Sequence, residues 1–200
     1  MEEAPEETGL DEVIQRILTE EYVDAFRSLV SLMSIIEQQR DRVDKVEWRL
    51  KDLESIKNKM KQKGIGIAQL REQIKDIIGI RIVVHFLSDI PLVIEMLHSL
   101  PGLEFGETFE DYISTPQATG YRSLHIDALY CPAEGMKEVP SEIQIRTTLQ
   151  HAWATKSHLL AYKVAFLPQR WQRHFRILSD QLYLADEVAE LLREELRNIP

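Results

Sequence analysis

From Ser141 to Thr147 the chain reads S-E-I-Q-I-R-T, and from Gly120 to His125 it reads G-Y-R-S-L-H. In the first segment Ile143 and Ile145 alternate with Glu142, Gln144 and Arg146. Strand geometry sends the isoleucines to one face and the three polar groups to the other. A carboxylate, an amide and a guanidinium in one row have the chemistry to meet a metal, a base and a phosphate. The same row is equally an ordinary solvated strand face. In the second segment a glycine turn is followed at once by Tyr121 and Arg122, then by His125 and Asp127 on one strand face. Tyr121 can serve as a stacking platform for a base or as a core tyrosine with a satisfied hydroxyl.

Two earlier stretches add complementary groups. Lys51, Ser55, Lys59 and Lys63 recur every four residues behind Arg49, while Leu50, Leu53, Ile56 and Met60 fall on another side. On a helix that spacing stacks the polar set on one face. A one-sided basic line can neutralise a polyphosphate, although a solvated lysine face is the plainer reading. Asp76 stands at the entrance to the β-branched run Ile77 to Phe86, and Arg81 lies within it. Magnesium prefers one or two carboxylates plus phosphate oxygens, which makes Asp76 a natural ligand beside such a rail; alone, it is an ordinary strand-capping aspartate. Arg81 needs a partner or a planar ligand to be tolerated among isoleucines and valines. Asp76 and Arg81 are five apart, so a regular strand would point them to opposite faces. The strand must bulge or begin late, with Gly79 the expected place. His151 and His158 have no third ligand that would make a zinc site.

The elements that must position these groups follow from period and breakers. Residues 1–9 read as a disordered acidic tail. Residues 10–48 read as a helical extension, with apolar residues at helical spacing from Leu10 to about Val43. A helix from about Leu50 to Lys63 ends at Gly64 and Gly66. Ile77 to Phe86 is a buried strand, Pro91 to Leu100 a short helix, and Tyr112 belongs to a short strand before the turn Pro116 to Gly120. Strands follow at Ser123 to Tyr130 and around Glu142. Helix resumes at Leu149, breaks at Pro168, and returns as an amphipathic segment from Trp171 to Leu196. With 200 residues and 44% hydrophobic content the chain can bury one full core. No apolar run approaches a membrane span, and the N-terminus is acidic, unlike a signal peptide. The single cysteine, Cys131, excludes an internal disulfide framework. A formal charge of −9 argues against broad nucleic-acid binding. These features predict a soluble cytoplasmic protein.

R-L-K-D-L-E-S-I, D-I-I-G-I-R, T-G-Y-R-S-L-H and E-I-Q-I-R-T, in that order, resemble the synthetase domain of the RelA/SpoT family, over Arg49 to about Lys163. Each motif is weak alone, and four in order are specific. There is no H-D dipeptide of the kind the family's hydrolase domain uses for its metal, so the chain looks like a small, synthetase-only member. The resemblance implies an α/β (α+β) fold, a mixed β-sheet flanked by helices and related to nucleotidyltransferases, spanning 49–165. N- and C-terminal helical extensions would flank it, the latter at 166–200. It also implies transfer of the β,γ-pyrophosphate of ATP to the 3′-hydroxyl of GDP or GTP, giving ppGpp or pppGpp and AMP.

Carried over by position, Arg49 and Arg81 would sandwich the adenine, and Lys51, Ser55 and Lys59 would hold the ATP phosphates. Asp76 would bind Mg2+, and Glu142 would help hold it or activate the acceptor hydroxyl. Tyr121 would stack on guanine with Arg122 and His125 near the phosphates, and Gln144, Gln117 and Thr119 belong to the acceptor side. Two departures fall on that side: P-Q-A-T-G-Y stands where many members read P-K-x-N-G-Y, and Ser157 stands where many small members have glutamate. Small synthetases often form tetramers, so a homo-oligomer, tetramer or dimer, is implied, with the last helix as a candidate interface. Two other readings compete. One is a pyrophosphotransferase with another acceptor, an adenosine nucleotide or the 3′ end of tRNA, as toxic relatives use. The other is a catalytically weak nucleotide-binding module.

Overall fold

In the computed structural model, which describes residues 5–133, 136–161, 168–197 and 199, the β-branched run after Asp76 becomes strand β2 (Ile78–Val84) of a five-stranded mixed sheet. The other strands are β1 (Val43–Leu50), β3 (Leu103–Asp111), β4 (Leu124–Tyr130) and β5 (Val139–Thr147), in the spatial order β1-β2-β5-β4-β3. The β2–β5 pair is parallel and the other neighbours are antiparallel. β2 and β5 have neighbours on both sides, and their near-continuous burial is what such strands require.

Register then sorts the two faces. Val46, Ile80, Ile82, Ile143, Ile145, Ile126 and Tyr130 point into one apolar core. Buried Ile14, Leu18, Tyr22, Ala25, Leu29, Met33 and Ile36 join it from the N-terminal helices α1 (Pro5–Ile17) and α2 (Val23–Glu37), linked by a π-helical turn at Leu18–Tyr22. Lys45, Glu47, Arg49, Arg81, Glu142, Gln144, Arg146, His125 and Asp127 occupy the opposite face by alternation. The remaining helices are α3 (Leu53–Lys63), α4 (Leu70–Gln73), α5 (Asp89–His98), α6 (Thr148–Ala161) and α7 (Gln169–Arg197). Among the described residues no helix is long and apolar enough to cross a membrane.

α7 packs against α6 and reaches the segments that follow β2 and precede β4. Trp153 on α6 donates from Nε1 to the Phe175 carbonyl at 2.9 Å. Thr147 caps α6: its hydroxyl oxygen accepts from Gln150 N, the Gln150 side chain accepts from Thr147 N, and the Thr147 hydroxyl donates to Asp186 of α7 at 2.6 Å. Near its C-terminus, Arg193 pairs with fully buried Asp89 at 2.9 Å and Glu190 accepts from the Ser88 hydroxyl at 2.6 Å.

Several elements differ from the sequence expectation. Residues 43–48, expected in the N-terminal helical extension, form most of β1. The segment V-D-K-V-E-W-R-L is too charged for its alternation to stand out, and antiparallel pairing with β2 decides its conformation. The expected acidic tail already turns helical at Pro5, a residue suited to a first helical position, while residues 1–4 lie outside the described residues. The short strand expected at Tyr112 is β3, which is longer and lies earlier in the chain than the sequence suggests. It pairs with β4 through a register shift between Phe105 and Phe109, and Tyr112 lies just past its end.

Candidate active site

β1 and β2 build a first cavity of about 230 Å³, lined by Glu47, Arg49, Gly79, Arg81, Glu142 and Gln144 among others. Arg49 lies opposite Gly79, and Glu47 opposite Arg81. The ladder through Gly79 is regular on both sides, so the expected bulge is absent there; the irregularity of β1 falls between Val43 and Lys45. Gly79 serves another end. An added Cβ would sit 3.3 Å from Arg49 Nε and 3.4 Å from Arg49 Cγ, so the bare glycine is the floor on which Arg49 rests. Arg81 finds the partners its surroundings demand: Glu47 Oε2 at 3.0 Å and, more weakly, Gln144 Oε1 at 3.4 Å.

The basic line is arranged differently from a helical rail. α3 starts at Leu53, because Asp52 caps it: Oδ1 accepts from Ser55 N and Oδ2 from the Ser55 hydroxyl, each at 2.8 Å. Lys51 therefore precedes the helix, and the Ser55 hydroxyl is engaged at its N-terminus. Even so, Lys51 and Lys59 converge, with Nζ atoms 2.5 and 2.8 Å from the two oxygens of Asp76. Burial would raise the Asp76 carboxyl, but the hydrogen bonds and charges of Lys51 and Lys59 outweigh it and hold the group below its usual range. Lys63 donates to the Gln73 carbonyl at 2.7 Å.

The strand parity that separated Asp76 from Arg81 is resolved by a late start. β2 begins at Ile78, so Asp76, only 8% exposed, lies before the regular strand. It opens into a second cavity of about 320 Å³, shared with Lys59, Lys63, Lys75, Glu110, His125, Asp127 and Glu142. Glu142 lines both cavities. Its Oε2 accepts from Gln144 Nε2 at 2.5 Å, and its Oε1 lies 3.5 Å from His125 Nδ1. Burial raises this carboxyl too, and the His125 and Gln144 contacts bring it below the ordinary value. Among the described residues no group of three or more His, Cys, Asp or Glu side chains is arranged to hold a metal alone. Asp76 and Glu142 offer two carboxylates to one cavity, a hard-oxygen pair that fits magnesium when nucleotide phosphates complete its shell.

On the far side, the Tyr121 hydroxyl bonds His125 Nε2 at 2.8 Å and accepts from Arg146 Nη2 at 2.9 Å. Tyr112, His125 and Trp153 pack against its ring at steep angles, which fixes the ring plane. Arg122, expected beside the acceptor phosphates, is turned the other way. It is 8% exposed, bonds the Ile113 carbonyl and Asp180 of α7, and stacks 4.2 Å over the Tyr183 ring. Neighbouring residues entering a strand point to opposite faces, so a Tyr121 directed at the site sends Arg122 to α7.

The turn carrying Gln117 and Thr119 is closed by Gly120 N donating to the Gln117 carbonyl at 2.8 Å. The Gln117 side chain is exposed and Thr119 half-buried. Gly120 has φ +91° and touches α7, where an added Cβ would come within 2.7 Å of Ser179 Cβ. α7 thereby packs directly against this turn, with the Ser179 hydroxyl donating to the Gly120 carbonyl. Ser157 bonds the carbonyl of Ala154 on its own helix.

Arg146, in the polar row but given no role by the resemblance, is the most enclosed cation of the site. It is 3% exposed, and burial pushes its guanidinium down to about 10. Besides Tyr121 it donates to Gln144 Oε1 at 2.7 Å. Glu47 was missed altogether, because its strand was. Lys75, also missed, pairs with Asp127 at 2.7 Å on the rim of the second cavity.

A family model described as a region found in RelA/SpoT proteins matches residues 48–165. The chain belongs to that family. It is 34% identical over 189 residues to the GTP pyrophosphokinase YwaC of Bacillus subtilis, covering 89% of this chain and 86% of the relative. Among solved structures it resembles a GTP pyrophosphokinase family protein from Streptococcus pneumoniae, with 31% identity, TM-score 0.78, and 91% and 93% of the two chains covered. It likewise resembles the small alarmone synthetase 1 of Bacillus subtilis bound to its product pppGpp, with 29% identity, TM-score 0.79, and 94% and 100% covered. The family's fold is thus the mixed sheet with flanking helices described above.

Proposed function

We infer that this chain is a GTP pyrophosphokinase that moves the β,γ-pyrophosphate of ATP to the 3′-hydroxyl of GDP or GTP. The observation that carries the reading is Glu142, which stands between two adjoining cavities: one floored by Gly79 beneath Arg49, the other reached by Lys59, Asp76 and His125. In-line transfer needs a donor and an acceptor to meet at one point, and Glu142 marks that point.

In this reading Arg49 and Arg81 hold the adenine, and Lys51, Ser55 and Lys59 hold the phosphates. Tyr121 holds the acceptor base with His125, and Gln144 keeps Glu142 oriented. The acceptor 3′-oxygen bonds to the β-phosphorus as the bond from that phosphorus to the α–β bridging oxygen breaks, and AMP leaves. The proton of the 3′-hydroxyl goes to Glu142, whose carboxylate is held ionised. Asp76 and Glu142 would hold magnesium, which when bound would supply charge neutralisation for the phosphate oxygens. The catalytic unit is the span 49–165, extended back to Val43 because β1 carries Arg49.

We further propose a homo-oligomer, dimer or tetramer, since α7 leaves Leu184, Leu191 and Leu196 about 60% exposed; light scattering of the purified chain tests it. A cytoplasmic location goes with these substrates. Labelled ATP incubated with GDP, GTP, an adenosine nucleotide or tRNA, with products separated by chromatography, tests the main reading. Label must move to a guanine nucleotide as AMP appears. Transfer only to tRNA or an adenosine nucleotide would overturn the acceptor, and no transfer would overturn the activity.

A further inference from the structure

A pyrophosphokinase that uses both adenine and guanine nucleotides has to keep donor and acceptor apart. The two arginines of the first cavity cannot do so. Same-face positions two residues apart on a strand are separated by roughly 6.6–6.8 Å. Arg49 lies opposite Gly79, and Arg81 is two residues beyond Gly79 on β2. That step leaves room for one flat ring in contact on both sides, and every nucleobase has such a face. Selection between purines has to come from groups at the ring's edge.

The side chains lining this cavity narrow the choice. The Gln144 amide is tied down, with Nε2 giving a hydrogen to Glu142 and Oε1 taking Arg146 and, more weakly, Arg81. Glu142 faces the second cavity as well. Glu47 remains. Its Oε1 takes Lys45 at 2.6 Å and its Oε2 takes Arg81 at 3.0 Å, and the side chain is still 38% exposed. A carboxylate has about four acceptor positions, so these contacts leave others open. The two cations keep it ionised, and an ionised carboxylate only accepts. It complements the amino group at C6 of adenine and repels the carbonyl oxygen that guanine carries there.

We propose that Glu47 reads the 6-amino group of the donor purine and so selects adenine over 6-oxopurines in the Arg49–Arg81 slot. The inference rests on that cavity being the donor site. It assigns to a residue of the irregular β1 strand a part in substrate choice beyond anchoring Arg81.

The test is steady-state release of nucleoside monophosphate with saturating GDP as acceptor. The donors are ATP and purine riboside triphosphate, which has hydrogen in place of the 6-amino group. The wild-type chain should use the analogue with kcat/KM lower by about tenfold or more, the scale of a lost hydrogen bond to a charged group. In Glu47→Ala the ATP value should fall and the ratio between the two donors should approach one. Glu47→Gln, nearly isosteric and able to donate from its amide, should in addition improve use of inosine triphosphate relative to ATP. A residue that merely props Arg81 would depress both donors equally and leave the ratio unchanged; that result overturns the proposal. So does a wild-type chain that uses ATP and the analogue alike. Release of no AMP with any acceptor would instead remove the donor reading itself, a failure recognisable because ATP, and not only the analogue, is inert.

Discussion

Asp186 of α7 is 3% exposed, accepts the Thr147 hydroxyl at 2.6 Å, and is pushed by burial from the ordinary 3.8 to about 6, with Glu190 adding to the shift. A carboxyl whose folded-state pKa lies above its unfolded value binds protons more tightly in the native state. Its contribution to stability is fully present below pH 3.8 and is lost as pH rises through about 6. Each pH unit of that interval corresponds to about 1.4 kcal/mol, which sets an upper limit of about 3 kcal/mol at neutral pH. Asp186→Asn keeps an oxygen for Thr147 and removes the charge, but buries an extra amide donor. Discounted for that donor, the variant should be about 1–2 kcal/mol more stable than the parent at pH 7.5, and about equal or weaker at pH 4. For a chain of this size that is a rise in Tm of roughly 2–8 °C. Urea unfolding of both proteins from pH 4 to 8 measures the difference directly. A difference that stays constant with pH, or a variant less stable at pH 7.5, would refute the argument that a buried ionised carboxylate strains this junction.

Asp76→Asn and Glu142→Gln should each reduce turnover by at least roughly a hundredfold while the circular-dichroism melt persists; near-normal turnover in either would remove it from the reaction. Arg49→Ala and Arg81→Ala should raise the KM for ATP, and Tyr121→Ala that for the acceptor, each by about 1–3 kcal/mol of lost stacking. Separate titrations of the two substrates check the division. Gly120→Ala forces a side chain into φ +91° and within 2.7 Å of Ser179 Cβ, so it should cost about 2–4 kcal/mol through strain and overpacking. Denaturant midpoints would show it, and a loss under about 0.5 kcal/mol would mean α7 does not clamp this turn.

Local pattern carried much of this molecule. The period-2 alternation of E-I-Q-I-R placed β5 and its polar row, because strand geometry alone sends alternate residues to opposite faces. Gly64 marked the end of α3, where it adopts φ +66°. Four ordered motifs gave the family. What the sequence could not supply depends on contacts between distant residues. Whether Gly79 bulges or floors a cavity turns on pairing with β1, a strand whose charges hide its alternation until β2 lies beside it. Lys51 and Lys59 meet on Asp76 across 25 and 17 residues of chain. Alternation turns Arg122 away from Tyr121, yet what it meets there, Asp180 and Tyr183, comes from a helix more than fifty residues on. Spacing fixes which side chains share a face of one element; only the packing of elements decides what each face meets.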